Sequence, residues 1–162
     1  MPKPSDIART MVLQALEEGR VVRLGFMGPS MSPLLRPGDG IRVGPLPPKL
    51  RVGDIVLYPS GETLVAHRVL QLAPAGEANA FVVKGDFSEG GAEILQRSKC
   101  LGLVLSRERR GITLYLRSPF HLLLGRLLAL ASPWAVKSGL ALPRPMRKAM
   151  KWALFRLFGV HG

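Results

Sequence analysis

Asp54-Ile55-Val56-Leu57-Tyr58 and, after a turn, Leu64-Val65-Ala66-His67-Arg68-Val69-Leu70 are the runs whose reading decides the fold. Each is a short apolar stretch bounded by turn signals, the pattern of a β-strand. In the second, alternation places Val65, His67 and Val69 on one face and Ala66, Arg68 and Leu70 on the other. Strand-like runs of the same kind recur at 20–26, 40–43, 81–84, 101–106 and 112–116, nearly all separated by turns. Fourteen prolines and 18 glycines suit so turn-rich a chain. Three Gly-Asp pairs punctuate the region: Gly38-Asp39, Gly53-Asp54 and Gly85-Asp86. Pro37-Gly38 suits the centre of a type II turn, and the first two pairs read as strand starts. The fold class this predicts is mainly β.

Outside the strands the chain reads as helical at both ends. Ser5 can cap a short packing helix in which Ile7, Met11, Ala15 and Leu16 share a face, and Gly19 stops it. Beyond about residue 117 the pattern turns helical again at 119–136 and, after a proline-broken link at 142–145, in a last segment. There Met146, Met150, Ala153, Leu154 and Leu157 oppose Arg147, Lys148, Lys151 and Arg156, as in an interfacial amphipathic helix. The expected division is a β-rich domain over 1–117 and a basic amphipathic helical tail over 118–162. With 162 residues, two full domains are not expected, and 47% hydrophobic against 21% charged residues argues against disorder.

Charge separates the same two parts. Residues 1–106 hold 12 Lys/Arg against 10 Asp/Glu, whereas 107–162 hold 11 against 1, so +10 of the net +12 lies in the C-terminal third. Interleaved aliphatic and aromatic residues make an anionic membrane surface the expected partner of 118–162, and speak against nucleic acid. No export signal is read at the N-terminus. The most apolar stretch, 122–136, contains Arg126 and Pro133 and falls short of the roughly 20 residues a span needs. The expected location is therefore peripheral, on the cytoplasmic side of a membrane. Cys100 is the single cysteine and reads as a buried, inert thiol that implies no oxidising compartment.

A serine becomes nucleophilic when a base takes its proton. Ser30 stands in Gly28-Pro29-Ser30-Met31-Ser32-Pro33, a turn in which Gly28 lets the backbone bend. His67 lies between two inward-facing valines, where burial would keep its imidazole neutral and fit to act as a base. Asp86 is the nearest acid placed to orient it. Singly, each has a plain structural reading: a turn serine, a hydrogen-bonded core histidine and a turn aspartate. No Cys/His spacing indicates a metal site, and His121 and His161 have no evident partners.

Together the residues stand in an ordered pattern: Ser30-Met31-Ser32-Pro33, Gly38-Asp39, Gly53-Asp54-Ile55-Val56, His67-Arg68-Val69 and Lys84-Gly85-Asp86. This pattern, over about residues 20–106, resembles the signal peptidase family, and its histidine resembles the archaeal and endoplasmic reticulum type rather than the Ser/Lys bacterial type. The resemblance implies a coiled β-sheet or barrel of the kind shared with LexA-type peptidases. It also implies a serine endopeptidase acting on a leader or signal-like peptide or preprotein, with Ser30 as nucleophile, His67 as general base, Asp86 in support and no cofactor. Lys84 falls in the Lys-Gly-Asp element and reads as structural, and Met31 as packing. Gly28 replaces a hydroxyl residue frequent in the bacterial enzymes, which leaves the oxyanion hole to main-chain donors. Phe87 replaces the usual asparagine, and Glu89 and Glu93 fall where a further aspartate is usual, so Glu93 is the reserve candidate for the supporting acid. Two alternatives stand beside this reading: a self-cleaving regulator of the LexA type, whose only Ala-Gly bond here would be Ala75-Gly76, and a non-catalytic membrane-surface module.

Overall fold

The computed structural model describes residues 4–73, 78–86, 88, 91–118, 123, 126 and 127. The amphipathic tail expected over 118–162 therefore lies almost wholly outside the described residues, as do Phe87, Glu89 and the Ala75-Gly76 bond. The described part is one helix, α1 (Pro4–Glu17), followed by β1 (Val22–Gly25), β2 (Gly40–Gly44), β3 (Ile55–Ser60), β4 (Thr63–Leu72), β5 (Ala80–Lys84), β6 (Glu93–Gln96), β7 (Gly102–Arg109) and β8 (Ile112–Tyr115). All seven expected strands are present. β6 is additional: only Leu95 of its four residues is buried, so it carries no alternating apolar signal.

The strands form one antiparallel sheet in the order β1-β2-β7-β3-β4-β5-β6, with β8 pairing to β7. The path ends on β1 at one edge and β6 at the other, so the sheet does not close into a barrel. β3 shows why the central run is apolar throughout. Ile55 and Leu57 enter one core with Phe26, Met31, Leu35 and Ala66, while Val56 and Tyr58 enter a second with Val69, Phe81 and Leu103. Successive side chains point to opposite faces, and here both faces are covered.

α1 ends in a Schellman motif, with Arg20 N–H donating to the Ala15 carbonyl at 2.9 Å, Gly19 N–H to Leu16 at 3.1 Å, and Gly19 at φ +78°. The expected packing face is only half used. Ala15 and Leu16 are buried, but Ile7 and Met11 are 49% and 65% exposed, because only the last turns of the helix reach the sheet. Among the described residues no helix is long and apolar enough to cross a membrane.

Gly38 and Gly53 adopt φ +90° and +100°, and the two turns repeat one design. Asp39 N–H donates to the Arg36 carbonyl and Asp54 N–H to Arg51. In return the two carboxylates accept the Arg36 and Arg51 amides at 2.8 and 2.9 Å. β2 and β3 begin directly after them, as expected.

Candidate active site

The chain between β1 and β2 is a loop closed at its base. Phe26 N–H donates to the Asp39 carbonyl and Gly38 N–H to Phe26, both at 2.8 Å, so residues 27–37 project as a unit. Within it Ser32 N–H donates to Pro29 and Leu35 N–H to Met31. Met31 is fully buried and anchors the loop in the first core, as its packing assignment requires. Ser30, one residue earlier, is half-buried at the surface of that anchor.

Behind Ser30 stands Gly85. A Cβ at this glycine would lie 2.6 Å from the Ser30 carbonyl oxygen and 2.9 Å from Ser30 Cβ, closer than such atoms approach. Any side chain there displaces the serine. Gly85 serves by close approach, unlike Gly38 and Gly53, which serve by positive φ.

His67 is buried in the middle of β4. Its Nε2 lies 3.2 Å from Ser30 Oγ, so the two residues separated by 37 positions are in hydrogen-bond contact. Its Nδ1 lies 2.8 Å from Tyr58 Oη, and the two rings meet edge to face with centroids 5.7 Å apart. The β3–β4 register explains this contact: Val56 sits opposite His67 and Tyr58 opposite Val65, which makes Tyr58 the diagonal neighbour of the histidine. Tyr58 Oη donates to Glu93 Oε1 at 3.0 Å, and that oxygen is 3.6 Å from His67 Nδ1. Burial pushes the His67 pKa below its ordinary value. The negative charges of Glu93 and Asp86 oppose that shift, and Lys84 adds to it. Burial, then the Glu93 carboxylate, pushes the Tyr58 phenol well above its ordinary range.

Asp86 is placed elsewhere. Its carboxylate takes both Nε and Nη2 of Arg68 at 2.7 and 2.6 Å, with side chains only 7% and 3% exposed, and Arg68 Nη1 donates to the Gly53 carbonyl. His67 and Arg68 are consecutive on a strand and point to opposite sides, so an acid clamped on one is directed away from the other. The structure thus brings Ser30 and His67 together and puts Asp86 on Arg68. The carboxylate it brings toward the imidazole is Glu93, through Tyr58. Lys84 sits opposite Arg68 in the β4–β5 register. In sequence, Tyr58 within Ile55-Val56-Leu57-Tyr58 reads only as another apolar position.

Beside Ser30 opens a cleft of about 560 Å³ lined chiefly by Leu24, Phe26, Ile41, Leu57, Leu64 and Ala66. Its wall is mostly apolar, and Ser30 and Thr63 are its polar side chains. Cys100 is half-buried, and burial pushes its thiol up to about 12, which leaves it protonated and unreactive. Among the described residues no group of three His, Cys, Asp or Glu side chains is placed to hold a metal ion. No family model matches the chain, and no curated protein matches it.

Proposed function

We propose that the protein is a serine endopeptidase of the signal-peptidase kind, cutting a leader or signal-like peptide. The observation that carries this is the contact of Ser30 Oγ with His67 Nε2 at 3.2 Å, at the mouth of an apolar cleft. An open antiparallel sheet with a serine on the loop after its first strand supports this reading. In this reading the cleft takes apolar side chains of an extended peptide. Ser30 Oγ attacks the scissile carbonyl carbon while its proton passes to His67 Nε2, and main-chain amides at the serine loop receive the oxyanion. The imidazolium then gives that proton to the leaving amine. Water, deprotonated by the same nitrogen, hydrolyses the acyl-enzyme and restores the serine. Burial lowers the His67 pKa and so favours the neutral imidazole that the first step needs.

The basic amphipathic sequence of 118–162 supports placing this reaction at an anionic membrane surface, with the chain attached peripherally. The decisive measurement is cleavage of signal-like peptides by the purified protein, its Ser30→Ala variant and its His67→Ala variant. Cleavage by the wild type alone is expected, and equal cleavage by all three overturns the proposal. Flotation with anionic liposomes, with and without residues 118–162, tests the attachment separately: a full-length chain that stays at the bottom of the gradient rules it out.

A further inference from the structure

We infer that Tyr58 and Glu93 are positioning residues that fix which nitrogen of His67 is bare. This rests on the Ser30/His67 reading above and extends it to two residues on two further strands.

The hydrogen count decides the direction of the chain. A carboxylate only accepts, so the 3.0 Å contact to Glu93 Oε1 uses the single phenolic hydrogen of Tyr58. With that hydrogen committed, Tyr58 Oη has only lone pairs to offer across the 2.8 Å contact to His67 Nδ1. His67 must then donate from Nδ1, and a neutral imidazole with its proton on Nδ1 has a lone pair at Nε2. Nε2 is the nitrogen 3.2 Å from Ser30 Oγ. The ordered chain is Ser30 O–H to His67 Nε2, His67 Nδ1–H to Tyr58 Oη, and Tyr58 O–H to Glu93 Oε1. Reversed at Tyr58, the same contacts would leave Glu93 without its hydrogen and place a proton on the nitrogen that has to accept one.

The two residues divide the work of the aspartate in a Ser-His-Asp triad. Tyr58 sets the tautomer and, through its edge-to-face ring contact, the plane of the imidazole. Glu93, 3.6 Å from Nδ1, supplies the negative charge that steadies the imidazolium once Nε2 has taken the serine proton. During turnover the only proton that moves is the one exchanged at Nε2. The Tyr58 phenol keeps its hydrogen, in accord with burial and the neighbouring carboxylate disfavouring its ionisation. Asp86, held by Arg68, contributes to His67 through its charge and not through a hydrogen bond to Nδ1.

The test reads the histidine directly. Ring-nitrogen NMR of the full-length chain, with His121→Gln and His161→Gln introduced to leave a single imidazole, is expected to show the proton on Nδ1 in the neutral form. Tyr58→Phe keeps the ring packing and removes the hydroxyl, and is expected to abolish that preference. On a quenched signal-like peptide it is expected to lower kcat by roughly tenfold to a hundredfold, part of the 10²–10⁴ a general base contributes, with KM changed by less than about twofold. Glu93→Gln retains an acceptor for the phenol, so the Nδ1–H tautomer is expected to persist while the His67 pKa falls. A proton on Nε2 in the wild type, or an unchanged tautomer in Tyr58→Phe, overturns the inference even if Ser30 proves to be the nucleophile. Failure of the wild type to cut any peptide overturns the peptidase reading and leaves the tautomer result standing.

Discussion

Two neighbouring residues of β4 meet their carboxylates in opposite ways. Arg68 is gripped by Asp86 through two short bonds with both side chains almost fully buried, and the Gly53 carbonyl holds its third nitrogen. His67 is hydrogen-bonded to its carboxylate through an intervening phenol, with Glu93 Oε1 3.6 Å from Nδ1, and Glu93 has a half-exposed side chain. The first arrangement is a clamp. The second leaves the imidazole free to change charge while its geometry stays fixed. The clamp recurs: Asp39 takes Nε and Nη2 of Arg109 at 2.6 and 2.7 Å, and Asp54 takes Arg117 at 3.2 and 3.4 Å. Each Gly-Asp pair of the sequence therefore ends on an arginine.

The largest effect is expected from breaking the clamp. Asp86→Asn leaves Arg68 as a buried guanidinium without its counter-charge, and removing one partner of such a pair costs about 3–5 kcal/mol. Glu93→Gln, at a half-exposed side chain, is expected to change stability by less than about 1 kcal/mol. Denaturant unfolding of the two variants measures the contrast directly. If Asp86→Asn kept full stability and instead lost the Nδ1–H tautomer of His67, Asp86 would be the orienting acid and the comparison would collapse.

This division was only partly legible in the sequence. The alternation around His67 and the Gly-Pro-Ser-Met turn are local signals, and both are present in the fold with the serine and histidine in contact. Which acid faces the imidazole is set by strand register and by the direction of consecutive side chains, and Asp86 falls to Arg68 because Arg68 stands opposite Lys84, two residues before it. Tyr58 was hidden for the same reason: its hydroxyl acquires meaning only when β3 and β4 align to make it the diagonal neighbour of His67. Glu93 belongs to β6, whose one buried residue gave no periodic pattern to read. The half-exposed face of α1 was also beyond reach, because amphipathic spacing reports which side of a helix packs but not how many of its turns reach the core.

Gly85 joins the two arrangements, since its neighbours are Lys84 and the clamped Asp86 while its missing side chain makes room for Ser30. Gly85→Ala is expected to cost about 1–3 kcal/mol of overpacking. It should also lower turnover by about 10²-fold, the scale of a 1 Å misplacement of a reacting group. Gly91→Ala, with nothing within 4 Å of the added carbon, is the control and should leave both unchanged. Wild-type turnover in a folded Gly85→Ala protein would show that the serine loop yields without moving Oγ.

A smaller effect comes from pH. In the proposed mechanism His67 must be neutral to accept the serine proton, and burial lowers its pKa against the opposing charges of Glu93 and Asp86, so kcat/KM should rise with pH and reach half its plateau below the ordinary histidine value. Glu93→Gln should shift the midpoint further down. The stability sign agrees: with the folded pKa below the unfolded one, the unfolded chain binds more protons between them, so the contribution of His67 is present above the ordinary pKa and lost as pH falls through that window. Unfolding measured across this range should lose part of its slope in His67→Ala, and an unaltered slope would mean that the imidazole is not desolvated.

The smallest effect is expected where an arginine and a carboxylate meet in solvent. Arg23 and Glu108 lie 2.8 Å apart, as close as the clamps, but their side chains are 69% and 28% exposed. Water screens the pair and its side chains lose entropy in making it, so Arg23→Gln should cost only about 0.2–1 kcal/mol. Arg109→Gln, one residue beyond Glu108, releases Asp39, a carboxylate 3% exposed that also accepts the Arg36 amide and closes the turn before β2. It should cost several times more. Comparable losses in the two variants would show that distance rather than burial governs these pairs, and would remove the physical basis for separating clamp from surface contact.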